Sequence, residues 1–382
     1  MPKLLELVRN PVAYVAARWT PTQRTLQRAT LAALLMSVFI VVTGGAVRLT
    51  GSGLGCDTWP KCSSDSLVAT SEMGIHGAIE FGNRMLTYVL SAAVGWAIVA
   101  SRSAKPQRRG LSRLAWGQFW LVVANGIIGG ITVLTELNPW TVAGHFILAS
   151  TLLTVTAVTW LRAREGDAEP RPLVGRPVKQ LVIGLAVFAG ALVVVGTAVT
   201  GSGPHAGDSS EVPRMPFDPK VVTQAHAALA WIVVALTLAV WFVLRAVDAP
   251  AGPKRRTREL FLVLMAQGVI GYVQYFTDLP ELLVGIHLLG STLVWIAVLR
   301  LLLSLRERGE PLPMEPTGAT STTSTKGAGV TVPAPSEPED ARPEGPDSGD
   351  SGSGADPASA PAHGPASDQP VATSGPSASS RP

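Results

Sequence analysis

Eight windows of predominantly apolar residues alternate with short polar segments along the chain: 29–49, 79–100, 114–134, 140–161, 180–200, 221–244, 259–276 and 282–304. Each is close to the roughly 20 residues that a helix needs to cross the hydrocarbon layer. Backbone groups in that layer must be satisfied within the segment, so each window predicts a transmembrane α-helix. The intervening segments differ in charge. Twenty-three of the 28 basic residues before Glu310 fall in alternate segments, from Lys3–Arg28 through Arg102–Arg113, Arg162–Lys179 and Arg245–Arg258 to Arg300–Arg308. Arg48, Lys61, Arg84, Arg214 and Lys220 lie on the other side. The excess of Lys and Arg marks the cytoplasmic side. Both termini are therefore expected in the cytoplasm, and the loops 50–78, 135–139, 201–220 and 277–281 outside.

Composition agrees: 47% hydrophobic and 15% charged residues exclude an ordinary soluble protein. The formal charge of +4 hides two regions. From Glu310 onward ten acidic and three basic residues stand in a Pro-, Ser- and Gly-rich stretch without Phe, Trp or Tyr. Such a segment buries too little apolar surface to order itself, so 305–382 is expected to be a disordered acidic tail, and His363 within it is set aside. The first apolar window is long enough to stay in the membrane, and no cleaved signal peptide is expected. Cys56 and Cys62 fall in the first outer loop, where an oxidising environment favours a disulfide. A structural staple and a redox-active pair are both open readings of it.

The two halves of the chain repeat. Residues 124–145 align without gaps on 266–287, with eight of 22 positions identical, ending on His145 and His287. Thr50-Gly51-Ser52-Gly53 recurs as Thr200-Gly201-Ser202-Gly203, and that offset places His76 on His226. Four helices per half give both halves the same orientation, so the fold expected is an all-α membrane protein of eight helices. They form two tandem four-helix bundles with pseudo-two-fold symmetry along the membrane normal. The divisions are 1–28 (cytoplasmic N-terminal segment), 29–161 (N-terminal half), 162–179 (cytoplasmic linker), 180–304 (C-terminal half) and 305–382 (tail).

Ionisable residues inside a membrane are costly and point to function. His145, His226 and His287 each lie about five residues into an inward-running helix, a depth of roughly 8 Å. Three histidines in one outer layer, on separate helices in apolar surroundings, suit the axial ligands of a heme better than a tetrahedral zinc site. A lone helix histidine would be a packing residue. His205, in an outer loop, is expected to be solvated. Glu80 lies one turn from His76 and from Asn83. It either forms an i,i+4 pair with Arg84 or has a task of its own. Arg48 and Arg84, near the outer helix ends, either snorkel to the interface or bind heme propionates.

The run from Gly44 to Cys62, GGAVRLTGSGLGCDTWPKC, resembles the first helix and outer loop of heme A synthases. The stretch Ile79-Glu80-Phe81-Gly82-Asn83-Arg84 and the helices carrying His145, His226 and His287 resemble the same family, over about residues 29–304. The resemblance implies an oxidoreductase of the plasma membrane. It would convert the C8 methyl of heme O to a formyl group by successive hydroxylations, giving heme A for cytochrome c oxidase. It implies heme b as cofactor, held by His226 and His287 in the C-terminal half, with heme O in the N-terminal half on His145. It also implies Glu80 as the catalytic carboxylate, and Cys56–Cys62 as a disulfide able to relay electrons. The family's motif has a histidine where this chain has Asn83, so either the substrate iron lacks one ligand or His76 supplies it. The partners expected are heme O, heme O synthase, cytochrome c oxidase assembly and membrane lipid, with a homo-oligomer open and no nucleic acid. The alternative is a di-heme b, quinol-oxidising electron-transfer cytochrome, which would leave the cysteines and Glu80 without a task. A repeat-built transporter, without colour, is a more distant rival.

Overall fold

The computed structural model describes residues 9–311, 313 and 314; the remainder of the expected tail lies outside the described residues. A short helix α1 (Pro11–Arg18) precedes eight long ones: α2 (Gln23–Leu49), α3 (Gly74–Ser103), α4 (Arg109–Leu134), α5 (Pro139–Arg162), α6 (Arg176–Ser202), α7 (Pro219–Ala246), α8 (Ala251–Phe276) and α9 (Glu281–Ser304). All eight are long and apolar enough to span a membrane, and every predicted window falls on one of them. The sequence signals at several starts are local. Asn138 accepts from the Trp140 N–H at 3.0 Å with Pro139 opening α5. Asp218 accepts from Lys220 and Val221 at 2.8 and 3.0 Å with Pro219 opening α7. Both pair a capping side chain with a proline that has no N–H to satisfy.

The helices pack in two rings. In the first, α2 packs on α3 and α5, and α4 on α3 and α5; in the second, α6 packs on α7 and α9, and α8 on α7 and α9. Thus α3 and α5 stand diagonally across one ring, and α7 and α9 across the other. Leu26, Leu90, Val94, Leu111 and Leu152 belong to the apolar core of the first. Val182, Leu185, Val233, Val240, Leu260 and Val298 belong to that of the second. A third cluster, with Leu34, Leu153, Ala157 and Leu299, joins them through α2, α5 and α9. Deep in that joint the Trp295 indole donates to the Thr154 hydroxyl at 2.7 Å. The sequence repeat recurs in the backbone: Glu136 and Leu137, and 142 residues on Asp278 and Leu279, all take φ of 50–60° in the α4–α5 and α8–α9 turns.

Each face has a clasp. At the end rich in basic residues, Arg171–Pro172 pairs antiparallel with Arg306–Glu307, tying the linker to the end of α9. There the Arg108 guanidinium, 6% exposed, donates to Asp167 and to the carbonyls of Arg162 and Glu165 at 2.6–2.8 Å, satisfying the C-terminal end of α5. At the other face the loop after α2 meets the loop after α6. Gly53 N–H donates to Gly207 O at 2.8 Å, and Ser209 N–H to Gly51 O at 3.2 Å. An added Cβ at Gly53 would stand 2.6 Å from Gly207 O, which explains a glycine there.

Asp208 locks this joint, accepting from Leu54 N–H at 3.0 Å and from Ser210 N–H and hydroxyl at 2.8 and 2.7 Å. Partial burial pushes its carboxyl up, but the bonds from Ser210 and Leu54 outweigh this and hold it below its ordinary value of 3.8. A depressed folded-state pKa contributes stability that is present above the unfolded value and is lost as pH falls through the folded one. Asp208→Asn is therefore expected to lower the thermal midpoint near pH 6 and to match the parent well below pH 3.8; the two melting curves at each pH check this.

Candidate functional site

His226 on α7 and His287 on α9 face one another across the second ring, with ring centroids 6.5 Å apart and planes inclined at 66°. Two imidazole nitrogens each bonded at about 2 Å to one metal would put the centroids roughly 6 Å apart, so the gap has the width of one bis-imidazole centre. The Nδ1 atoms of His226, His287 and His145 are all buried without a hydrogen-bond partner. Nδ1 of His226 and of His287 lies toward the neighbouring helix, 3.7 and 4.0 Å from a Cβ added at Gly196 and Gly271, so an iron in the slot would take Nε2. Among the described residues no group of three or more His, Cys, Asp or Glu could hold a bare ion. Two opposed imidazoles instead fit a heme, whose porphyrin brings the other four nitrogens itself.

Each ring rests on a glycine of the neighbouring helix. An added Cβ would stand 3.3 Å from His226 Cε1 at Gly196, 3.5 Å from His287 Cε1 at Gly271 and 3.2 Å from His145 Cε1 at Gly129. Sequence reasoning did not assign these glycines a task. The signal was present, because Gly129 and Gly271 are identical positions of the 142-residue repeat.

In the first ring, His145 on α5 stands opposite α3, which carries His76, Glu80, Asn83 and Arg84. Over its N-terminal end lies the loop 56–62, closed by the Cys56–Cys62 disulfide with Cα atoms 4.4 Å apart. Trp59 of that loop lies on Gly130, where an added Cβ would clash with the indole; Gly130 adjoins the Gly129 seat of His145. Glu80, only 6% exposed, takes the Cys56 N–H on Oε2 at 2.6 Å and Arg84 on Oε1. Arg84 in turn donates to the carbonyls of Thr58 and Lys61 at 3.0 and 2.9 Å. The expected i,i+4 pair exists, but as a buried clamp on the disulfide loop and not as a surface pair.

Other expectations shift. His76 bonds through Nδ1 to the Ser52 hydroxyl at 2.9 Å, beside an outer cavity of about 320 Å³ that also touches Cys62, Met73 and Asp208. Arg48 donates through Nη2 to Thr200 O at 2.7 Å and through Nε to His205 O at 2.8 Å, which ties it to the end of α6 and the loop beyond. His205, expected in solvent, is half-buried and bonds to Leu279 O at 2.9 Å through Nε2, because its loop is drawn over the second ring.

Both cysteines are fully buried, with Met73 Sδ 3.4 Å from Cys62 Sγ. Thiol exchange needs access to a sulfur. The folded protein should therefore keep the disulfide in mild reductant and yield two alkylatable thiols only after denaturation. Rapid labelling of the native protein would show an open loop.

Residues 27–299 match the family model COX15-CtaA, described as cytochrome oxidase assembly protein. A protein of Geobacillus thermodenitrificans named heme A synthase is 28% identical over 149 residues, covering 38% of this chain and 45% of that relative. Heme A synthase of Symbiobacterium thermophilum is 28% identical over 67% of this chain and 89% of its own length. That of Azorhizobium caulinodans is 26% identical over 75% and 95%. The family model covers all but the first few residues of α2 and the last of α9, and so takes in both rings, the disulfide loop and all three seated histidines. The chain belongs to the COX15-CtaA family of cytochrome oxidase assembly proteins.

Proposed function

We propose that this protein is a heme A synthase, oxidising the C8 methyl of heme O to a formyl group by successive hydroxylations. The observation that carries the reading is the opposed His226–His287 pair in a chain whose relatives bear that name. In this reading the C-terminal ring holds heme b between His226 and His287, and the N-terminal ring receives heme O on His145. When bound, heme b supplies one-electron chemistry; the chain's part is to hold, orient and enclose.

Glu80 is the carboxylate of the substrate side. Arg84 holds it in place, and the clamp sets the disulfide loop over the His145 seat. Its proposed task is to accept a proton or stabilise positive charge at the reacting carbon. The bonds of Arg48 to Thr200 and His205 favour a structural role for that residue over propionate binding. The charge distribution supports a plasma-membrane protein with both termini in the cytoplasm and the two heme sites toward the outer leaflet. Heme O synthase and the assembly of cytochrome c oxidase are the matching supplier and consumer.

Co-expression with a source of heme O, followed by chromatography of the extracted hemes, tests the reading. Heme A beside heme b is expected; heme b alone would favour an electron-transfer cytochrome. His226→Ala and His287→Ala are each expected to abolish tightly bound heme b, read from the visible spectrum. Glu80→Gln should keep heme b but lower heme A yield roughly a hundredfold or more if the carboxylate acts in the chemistry. Near-parental yield with faster alkylation of Cys56 and Cys62 would leave Glu80 only its clamp.

A further inference from the structure

The three histidine seats follow one rule: the glycine lies on the first helix of a packed pair and the ring on the second. Gly129 of α4 serves His145 of α5, Gly196 of α6 serves His226 of α7, and Gly271 of α8 serves His287 of α9. The remaining pair is α2 with α3, and it too has a glycine facing a side chain of its neighbour. The glycine is Gly44, and an added Cβ there would stand 4.0 Å from Asn83 Nδ2. The adjoining residue, Thr43, donates its hydroxyl to Asn83 Oδ1 at 2.8 Å. Asn83 thus stands at the fourth seat, anchored by its oxygen.

His76 does not reach that place. It lies two residues into α3, about 10 Å along the axis from Asn83. Its Nδ1 is engaged with Ser52 in the loop after α2, and it lines a cavity together with Asp208. The sequence offset that pairs His76 with His226 follows the loops, whereas the packing pairs Asn83 with His226.

We infer that the N-terminal ring grips its heme from one side only. His145 is the single protein ligand, Asn83 occupies the opposite seat without binding the iron, and His76 belongs to the loop joint. The inference rests on the heme-oxidising reading above and specifies its substrate site. A carboxamide nitrogen has its lone pair delocalised, and the carboxamide oxygen here already accepts from Thr43, so neither atom competes with an imidazole. The asymmetry suits the two tasks. A cofactor that stays is held by two imidazoles, while a substrate that must leave as product is held by one.

The test uses the full chain, purified with its heme b, to which heme O is added, with visible and electron paramagnetic resonance spectra as readout. Two strong-field imidazoles give a low-spin iron, and one gives a high-spin iron. Added heme O is expected to be high-spin in the parent and in His76→Ala, with dissociation rates within twofold of each other. Asn83→His, which supplies the fourth imidazole, should turn it low-spin and slow its dissociation at least tenfold. Asn83→Gln should stay high-spin, and it decides the question together with His76→Ala should Asn83→His fail to fold. Low-spin heme O in the parent that becomes high-spin in His76→Ala would make His76 a ligand and overturn the inference. Loss of added heme O in His145→Ala, with heme b intact, is the matching check on the parent reading. A parent that keeps heme b yet retains no added heme O in any spin state would sink that reading and the inference with it.

Discussion

An imidazole in the hydrocarbon layer is tolerated only where its ring has room and its nitrogens have something to bind, and the arrangement of the eight helices follows that demand. Three glycines, each on the first helix of a packed pair, let an imidazole of the second approach its neighbour's backbone, and in the fourth pair Gly44 faces Asn83. At His226 and His287 the result is two rings facing across 6.5 Å, with their Nδ1 atoms buried and unbonded. Two imidazoles opposed at that distance are an arrangement that a heme iron accepts. The diagonal placement of α7 and α9 supplies the slot.

The face opposite the basic end converts this packing into one unit. Arg48 reaches from the first ring to the end of α6, Asp208 reaches back to Leu54, and the loops after α2 and α6 share backbone bonds. Glu80 and Arg84 hang the disulfide loop from the same joint, and Trp59 closes it on Gly130 beside the His145 seat. A charged pair in a low-dielectric site is costly unless its geometry is complete. Here both carboxylate oxygens and both terminal guanidinium nitrogens are engaged, so the pair fixes the cover over the His145 side of the first ring.

Much of the fold was legible because hydrocarbon leaves the backbone few choices: all eight spans were marked by apolar windows, and the pairing of the cysteines by their place in an outer loop. The repeat ending on His145 and His287 revealed that these two histidines hold equivalent positions near the starts of α5 and α9. What the sequence obscured depends on packing between helices. An ungapped offset matched His76 to His226, yet the contact with Gly44 and the bond from Thr43 set Asn83 in the equivalent place. Arg48 was readable as a cation near an interface, but nothing local announced that its acceptors lie about 150 residues away, at Thr200 and His205. His205 looked solvated for the same reason: the bond to Leu279 exists only once the second ring is assembled.

The central claim, that the second ring is built to hold one heme between two imidazoles, is most directly tested by electron paramagnetic resonance of the oxidised protein as purified, with the heme content per chain measured alongside. A low-spin bis-imidazole signal from tightly bound heme b, at about one per chain before any heme O is supplied, is the predicted result. A high-spin signal, or a protein that folds and purifies with no tightly bound heme, would contradict it.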